Sequence, residues 1–254
     1  MTARVAEIWR HPIKSHGRER VKGVTLTRGR PMPFDRRWAV AHEHSRFDAE
    51  NPCWQPCREF SIGAKSPRLQ AISARMDPDT QRLTLRHPER DEITIDPDDA
   101  ADAARFIAWA GPISNAARAL PARLVRAADA AMTDTDYPSV SIVSLATHRA
   151  VAARLGQDIS PLRWRANLLI EGADPWAEMD WIGERIRLGG VEMEIAEPIT
   201  RCMATTANPE TGIRDADTLT ALKQGFGHQD CGVYARVTRG GRLREGDRIE
   251  VPGR

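Results

Sequence analysis

Short β-prone segments separated by turn-forming residues run through the first hundred residues of this 254-residue chain. The segment VKGVTLT at 21–27 alternates apolar and polar residues, which is the period of a half-buried strand. Similar segments occur at 5–10, 37–41, 69–75, 82–85 and 93–95. Strands this short and this regularly spaced predict a small barrel or sandwich in the N-terminal part of the chain.

The second half of the chain is also predicted to be rich in strands, with two or three helices. An acidic and alanine-rich run from Asp96 predicts a helix where a linker between two domains would lie. An amphipathic helix is predicted at 144–155, capped by Ser144 or Thr147 and ended by Gly156, and a shorter helix at 218–224, ended by Gly225. Further strands are predicted at 167–171, 186–188, 191–196, 232–238 and 248–251.

The charges of the chain nearly cancel, since 37 basic side chains face 35 acidic ones. This balance excludes a disordered polyelectrolyte and argues against a nucleic-acid binder that works by bulk charge. Arginine supplies 33 of the basic residues. This excess over lysine reflects either a compositional bias or, at a few positions, arginines that bind an anion through two hydrogen bonds each. No segment approaches the roughly 20 apolar residues of a membrane span, so we expect a cytoplasmic protein with reduced cysteines.

Two weaker patterns leave their alternatives open. A possible zinc set comprises His42, His44, Cys53 and Cys57. The spacing of this set is unlike the usual structural zinc sites, and a solvated loop with incidental thiols explains it equally well. His148 or His228 could belong to a Ser-His-Asp triad, although the chain has no Gly-x-Ser-x-Gly elbow.

The most specific pattern is the segment PITRCMATTANPETG at 198–212. A predicted strand leads into it, and Cys202 directly follows Arg201. A turn at Asn208 and Pro209 ends on Gly212, which can adopt positive φ. A cation beside a thiol favours the thiolate, which is the form that binds soft metals or attacks an electrophile. On spacing alone, Cys202 is either such a functional thiol or a buried, inert cysteine.

This segment resembles the central motif of the MOSC domain family, which includes amidoxime-reducing proteins, and the resemblance extends over nearly the whole chain. Further motifs follow in the family's order, namely VAEIWRHPIKSHGRE from residue 5, FDRRWAV from 34, VSIVSLATHRAVAARLG from 140, RWRANLLIEG from 163 and CGVYARV from 231. The resemblance implies a β-rich α+β fold with an N-terminal MOSC β-barrel domain at 1–95, a helical linker at 96–120 and a MOSC β-barrel domain at 121–254.

The resemblance also implies a molybdenum-cofactor site in which Cys202 is the catalytic residue and the protein thiolate ligand of molybdenum. It implies that cationic and polar side chains hold the pterin cofactor and its phosphate. These side chains are Lys14, Ser15, Arg36, Ser139, Arg165, Asn167, Thr200, Arg201 and Tyr234. The chain departs from the family at Asn208, which stands where the family usually has aspartate and so removes one negative charge near the site.

The activity implied by the resemblance is the reduction of small N-hydroxylated compounds by a molybdenum-cofactor oxidoreductase, with no nucleic-acid or membrane partner. Four cysteines, one of them assigned to molybdenum, cannot also ligate a plant-type iron–sulfur cluster at its known spacing. We therefore expect electrons from a separate ferredoxin- or cytochrome-type donor. Two alternatives stay open, a sulfur carrier with a persulfide on Cys202 and a non-catalytic cofactor-binding protein. Pyridoxal phosphate binding is a further association at the level of the family.

Overall fold

Fifteen strands and three α-helices form within the part of the chain that the structure, a computed structural model, describes: residues 3–128 and 130–251. In chain order the strands are β1 (Arg4–Arg10), β2 (Glu19–Val21), β3 (Gly23–Leu26), β4 (Trp38–His42), β5 (Ser73–Met76), β6 (Leu83–His87), β7 (Arg90–Ile95), β8 (Pro121–Arg126), β9 (Val140–Ser144), β10 (Leu168–Glu171), β11 (Arg185–Leu188), β12 (Val191–Thr200), β13 (Asp230–Arg239), β14 (Gly241–Arg244) and β15 (Ile249–Glu250). The helices are α1 (Ala100–Ala110), α2 (Leu145–Leu155) and α3 (Thr218–Phe226). The predicted β-rich α+β class is confirmed.

Eight of these strands form one sheet in the order β15-β11-β12-β13-β9-β10-β1-β2, antiparallel except for the parallel pair β9 and β10. The sheet closes on itself, because main-chain hydrogen bonds join Val5 to Asp247 (2.9 Å) and Ala3 to Ile249 (2.8 Å). The interior is filled by apolar side chains such as Ile142, which is fully buried. Closure into a barrel leaves few exposed strand edges and buries one continuous apolar face.

The N-terminal half forms a second core on smaller sheets. Strands β5, β6 and β7 make a meander, β4 pairs with β8, and α1 packs against β7 and β8. Trp38 and Phe106 are buried in this core. The strand pairing crosses between the halves, since β1 and β2 belong to the eight-stranded sheet and β3 pairs with β14. The domain limits at 1–95, 96–120 and 121–254 stay a prediction.

The C-terminal helices follow their sequence signals, with one difference in length. The helix predicted at 144–155 is confirmed: the Ser144 hydroxyl accepts a hydrogen bond from a main-chain N–H of the first turn, and Gly156 ends the helix at φ 62°. Helix α3 continues through Gly225 and ends at Gly227 instead, because Gly227 is the residue that adopts the left-handed conformation, at φ 77°.

Two predictions of local structure in the N-terminal half are wrong. Helix α1 begins four residues after the predicted position, because the carboxylate of Asp99 caps it by accepting a main-chain hydrogen bond. The segment 69–75, predicted as one strand, contains the end of a 3-10 helix over Pro67–Ala71 and the start of β5. A proline at the first helical positions favours the helical turn. Strands β8, β9 and β14 were not predicted, and β2 shares only Val21 with the strand predicted at 21–27. All five residues of β9 are buried, so its side chains do not alternate in exposure.

Strand β12 is longer than the predicted strand at 191–196 and carries the chain to the cavity described below. It passes through Pro198 and ends at Thr200. The pairing of β12 with β13 shifts register on either side of Pro198, between Ile195 and Glu197 and between Pro198 and Thr200. Such irregularities accommodate a proline within a ladder. The extended strand places the chain immediately before Cys202 at the junction of the two halves.

Candidate functional site

A cavity lies where the N-terminal half meets the C-terminal barrel. Its walls come from the segment after β1, the turn before β4, the segments before β9 and β10, the end of β12 and the middle of β13. Cys202 and all nine side chains predicted to hold a cofactor line this one cavity. The tertiary structure therefore brings together the whole set of candidate residues.

Cys202 presents an exposed thiol to this cavity just beyond the end of β12. It precedes a 3-10 helix over Met203–Thr206, and its main-chain carbonyl accepts hydrogen bonds from the N–H and the hydroxyl of Thr205, both at 3.1 Å. The Thr205 hydroxyl also lies 2.7 Å from the hydroxyl of Thr218 in α3. These contacts fix the backbone at Cys202, and the residue is exposed, so the alternative of a buried cysteine is wrong.

The turn that follows Cys202 packs against the N-terminal half. Gly212 has φ 71°, as predicted, and a Cβ atom there would lie 2.5 Å from the Cα of Arg68. The amide of Asn208 donates to the carboxylate of Asp215 at 2.8 Å, and Arg163 pairs with the same carboxylate. A neutral side chain at position 208 is therefore matched to an acidic neighbour, which explains locally why this chain accommodates asparagine there.

Lys14 and Arg36 place two cations on the wall from the N-terminal half. Lys14 is buried and donates to the carboxylate of Asp134 (2.5 Å) and to a main-chain carbonyl. Arg36 donates to the buried carboxylate of Asp35 at 2.6 Å. Burial lowers the pKa of Arg36, but the charges of Asp35 and Asp134 outweigh it and hold the pKa above its usual value. Ser15 and Arg36 both have positive φ (63° and 46°), a conformation that costs energy outside glycine and recurs at functional sites.

Arg165 supplies a third cation, which has only neutral partners. Its guanidinium donates to the side-chain oxygen of Gln70 (3.2 Å) and to the main-chain carbonyl of Gly17 (3.1 Å). No carboxylate in the described part of the chain forms an ion pair with it. Burial, together with the charges of Arg36 and Arg18, lowers its pKa to about 9, so it stays protonated at neutral pH. A bound anion would supply the counter-charge that the protein itself does not place there.

Two of the candidate side chains use their polar groups to hold the walls of the cavity. The Asn167 side chain accepts hydrogen bonds from the N–H (3.0 Å) and hydroxyl (2.8 Å) of Ser141 and thereby joins β9 to the start of β10. The Arg201 guanidinium donates to the main-chain carbonyls of Cys231 and Trp164. Arg201 is thus engaged with the backbone of the barrel.

The remaining candidates differ in how far their polar groups are already paired. The hydroxyl of Thr200 donates to Asp230 at 2.6 Å, and the hydroxyl of Ser139 lies 2.8 Å from that of Thr135. The Tyr234 hydroxyl has no hydrogen-bond partner among the described residues. Burial and the charge of Asp134 raise the pKa of Tyr234, so it is a neutral phenol and can donate to a ligand.

The structure adds residues to this cavity that the sequence analysis did not assign to it. Asp134, Cys57, Gln70 and Arg163 also line it. Arg163 lies two residues before Arg165 in the same motif, so its proximity to Arg165 along the chain was a signal. Burial, the neighbouring Asp134 carboxylate and a hydrogen bond to it raise the pKa of the Cys57 thiol to about 11.

The weak zinc pattern does not form a metal site in the described part of the chain, and His148, one of the two triad candidates, is buried. Within the described residues, no three His, Cys, Asp or Glu side chains are placed to hold a metal ion. The Nε2 atom of His42 contacts the main-chain carbonyl of Arg58 at 2.7 Å. His148 is buried and accepts a hydrogen bond from the indole of Trp164 at 3.1 Å, which is a structural role.

The fold and the cavity define a protein of two β-rich halves. At their junction lie an exposed thiol and three cations, Lys14, Arg36 and Arg165, which we call the cationic wall. The chain belongs to the MOSC family: the MOSC domain profile matches residues 130–250, and the profile of the MOSC N-terminal beta barrel domain matches residues 2–119. The domain family is one associated with the molybdenum cofactor. Within the described residues, we find no helix with the length and apolar character needed to cross a membrane.

The similar proteins include several mitochondrial amidoxime-reducing components. Component 1 of Mus musculus is 24% identical over 244 residues, which cover 83% of this chain and 67% of the mouse protein. Component 1 of Danio rerio and that of Homo sapiens are 32% and 30% identical over stretches that span 24% and 23% of those proteins. The solved structure of the YUAD protein from Bacillus subtilis covers 99% of this chain at 16% identity, with a TM-score of 0.49.

Proposed function

We propose that this protein is a molybdenum-cofactor-binding oxidoreductase that reduces small N-hydroxylated compounds, with Cys202 as the protein thiolate ligand of molybdenum. The observation that carries the proposal is the exposed Cys202 thiol in one cavity with Lys14, Arg36 and Arg165. A soft thiolate suits a high-valent molybdenum, and cations suit the phosphate at the end of the pterin. The name of the similar proteins, amidoxime-reducing components, supports the substrate class.

The cationic wall fits the anionic end of such a cofactor. We assign the phosphate to Lys14, Ser15, Arg36 and Arg165, since these residues combine three cations with a hydroxyl in one cavity. Arg165 is the strongest argument, because its guanidinium contacts only neutral groups and an anion would complete its environment. Guanidinium groups also bind phosphate oxygens in pairs, which orients the ligand.

The other candidates act by shaping the cavity around the pterin. Asn167 and Arg201 hold the backbone of the barrel at its wall, and Thr200 and Ser139 line it with hydroxyls already paired to neighbours. The neutral hydroxyl of Tyr234 has no hydrogen-bond partner among the described residues, so it can donate a hydrogen bond to the ligand. This division predicts that the loss of the Tyr234 hydroxyl weakens cofactor binding and leaves the barrel stable. The loss of Arg201 is expected to weaken cofactor binding and also to destabilise the barrel.

The chain's own contribution to the reaction is positioning and electrostatics. When bound, the molybdenum cofactor supplies the two-electron oxygen-atom chemistry. Cys202 lies at the exposed side of the cavity beside the exposed Met203, so a small substrate can approach the thiol from solvent. Electrons come from a separate donor protein. The proposal does not extend to pyridoxal phosphate.

Metal analysis tests this function. The full chain is produced in a host that makes the cofactor, and molybdenum and pterin are measured per protein in the wild type, Cys202→Ala and Cys53→Ala. Cys53 is an exposed cysteine outside the cavity, so it is the matched control. We expect near-stoichiometric molybdenum in the wild type and Cys53→Ala and a large loss in Cys202→Ala. An absence of molybdenum, or an equal content in Cys202→Ala, would contradict the proposal.

Measurements on the same purified protein would reveal either of two other functions. A mass increase of about 32 Da on Cys202 without pterin would indicate a sulfur carrier, which the exposure of the thiol also permits. Bound pterin without reduction of an N-hydroxylated compound, in the presence of a chemical reductant, would indicate a non-catalytic cofactor-binding protein.

A further inference from the structure

The lysine of the cavity is paired with an acidic residue that the proposed function does not use. The ammonium of Lys14 donates to Asp134 (2.5 Å) and to the main-chain carbonyl of Met132 (2.9 Å). The Lys14 side chain is only 4% exposed, whereas that of Asp134 is 61% exposed. The counter-ion of a buried cation thus lies at the mouth of the cavity, where solutes reach it.

A second contact keeps this carboxylate in place. The thiol of Cys57 donates to the same Asp134 oxygen at 3.1 Å. The preceding residue is also attached to the N-terminal half, because the indole of Trp54 donates to the main-chain carbonyl of Thr133 at 3.1 Å. Residues 132–134, which we call the strap, therefore lie against Lys14. Hydrogen bonds from Trp54 and Cys57 hold the strap in this position.

The other cations of the wall are arranged differently. The partner of Arg36 is Asp35, which is buried behind the wall and out of reach of a ligand. Among the residues that the structure describes, Arg165 has only neutral partners. In the described part of the chain, Asp134 is the single carboxylate that lines the cavity. It is thus the one negative charge that an incoming anion meets.

We propose that Asp134 is an internal competitor for the anion site, which neutralises Lys14 until a phosphate-type dianion displaces it, and that Cys57 sets how firmly it is held. The identity of the natural ligand, the phosphate of the pterin cofactor, depends on the proposed function. The separation of Asp134 from Lys14 and Cys57 costs the same free energy for every ligand. The net attraction of the three cations, by contrast, increases with the negative charge of the ligand. The arrangement therefore favours dianionic phosphate over monoanions such as acetate.

Phosphate binding to the full chain tests the proposal. Calorimetry at constant ionic strength compares inorganic phosphate binding to the wild type, Asp134→Asn and Asp136→Asn. We expect Asp134→Asn to bind phosphate about tenfold more tightly, because it keeps a hydrogen-bond acceptor for Lys14 but removes the competing charge. Asp136 is an exposed aspartate two residues away that does not line the cavity, so Asp136→Asn is expected to change affinity less than about twofold.

Two further variants test whether Asp134 affects phosphate affinity through its contacts with Cys57 and Lys14. Cys57→Ala removes one hydrogen bond to Asp134, and we expect phosphate affinity to rise about two- to threefold. In a Lys14→Met background, Asp134→Asn should improve binding clearly less, because only the repulsion between Asp134 and the anion is then removed. Asp134→Asn should also bind acetate more tightly than the wild type does.

Several outcomes would overturn the proposal: equal or weaker phosphate binding in Asp134→Asn, an equal gain in Asp136→Asn, an undiminished gain with Lys14→Met, or no measurable phosphate binding in any variant. These results are independent of molybdenum content. A chain without molybdenum in which Asp134→Asn still binds phosphate more tightly would contradict the proposed function and leave this inference intact.

Discussion

The guanidinium of Arg36 donates a hydrogen bond to the main-chain carbonyl of Arg165 at 2.8 Å, so two arginines from opposite halves of the chain meet at one cavity. Their charges repel each other, and this repulsion adds to burial in lowering the pKa of Arg165 to about 9. A fold that keeps two like charges together on a buried wall is stabilised by whatever anion binds there. This relationship gives the first prediction.

Arg165→Gln is expected to weaken anion binding more than it weakens the fold. The variant loses hydrogen bonds to Gln70 and Gly17 but also removes a buried cation that Arg36 repels. We expect the free energy of unfolding to change by less than about 1 kcal/mol. Phosphate affinity should fall about tenfold. Urea denaturation and calorimetry measure the two quantities.

The control for this prediction is Arg118→Gln, which removes an exposed arginine that does not line the cavity. It should leave both phosphate affinity and stability nearly unchanged. If Arg165→Gln costs several kcal/mol of stability and leaves phosphate affinity intact, Arg165 is a structural residue and the assignment of the anion site is wrong.

Restoring the family's aspartate at position 208 is expected to destabilise this chain. Asn208→Asp places a carboxylate against Asp215, where the asparagine amide now donates at 2.8 Å. We expect a loss of about 1–2 kcal/mol at pH 7 from the lost hydrogen bond and the like-charge contact. Urea denaturation measures it. The swapped pair Asn208→Asp with Asp215→Asn should recover part of the loss, and a failure to recover any would contradict this explanation.

Gly212→Ala is expected to cost more stability than the loss of glycine alone explains. The backbone at Gly212 is left-handed (φ 71°), and a Cβ there would lie 2.5 Å from the Cα of Arg68, which cannot move as a flexible side chain would. Gly29 has a similar φ of 66° with nothing near its Cβ direction. We expect Gly29→Ala to cost about 1 kcal/mol and Gly212→Ala about 1–3 kcal/mol more. Equal costs, measured by urea denaturation, would show that the close approach has no effect.

The protein is expected to lose stability between pH 7 and pH 5 partly through His148. Burial lowers the pKa of His148 to about 4, and its Nδ1 accepts a hydrogen bond from Trp164 that protonation would remove. The folded pKa lies below the unfolded value of about 6.5, so the unfolded chain takes up the proton first as the pH falls. Stability therefore decreases from about pH 6.5 toward pH 4, and this histidine contributes about 2 kcal/mol of loss by pH 5.

His148→Asn tests this pH dependence, because asparagine can accept from Trp164 and does not titrate. Denaturation at pH 7 and pH 5 should show a smaller decrease for His148→Asn than for the wild type. His44→Asn is the control, since His44 is exposed. A wild-type pH dependence that His148→Asn leaves unchanged would show that other groups cause it.

The order of motifs along the chain was enough to predict the class of fold and the set of candidate residues. Cys202, Lys14 and Arg165 carry their identity in local motifs, so they could be named without coordinates. Helix α2 was also predictable, because Ser144 and Gly156 are local capping signals. These features depend on residues close in sequence, and the alternation of short apolar segments is itself local.

Only the tertiary structure decided which partners those residues have. Asp134 and Cys57 carry no local signal for the cavity, and they meet Lys14 because the strap folds back across it. The guanidinium of Arg201, next to Cys202 in sequence, is engaged with the backbone carbonyls of Cys231 and Trp164. Charge and hydrogen bonding act through space. The sequence by itself therefore determined which groups are present, while the folding of the two halves against each other determined which cations have a carboxylate partner and which, like Arg165, have only neutral partners among the described residues.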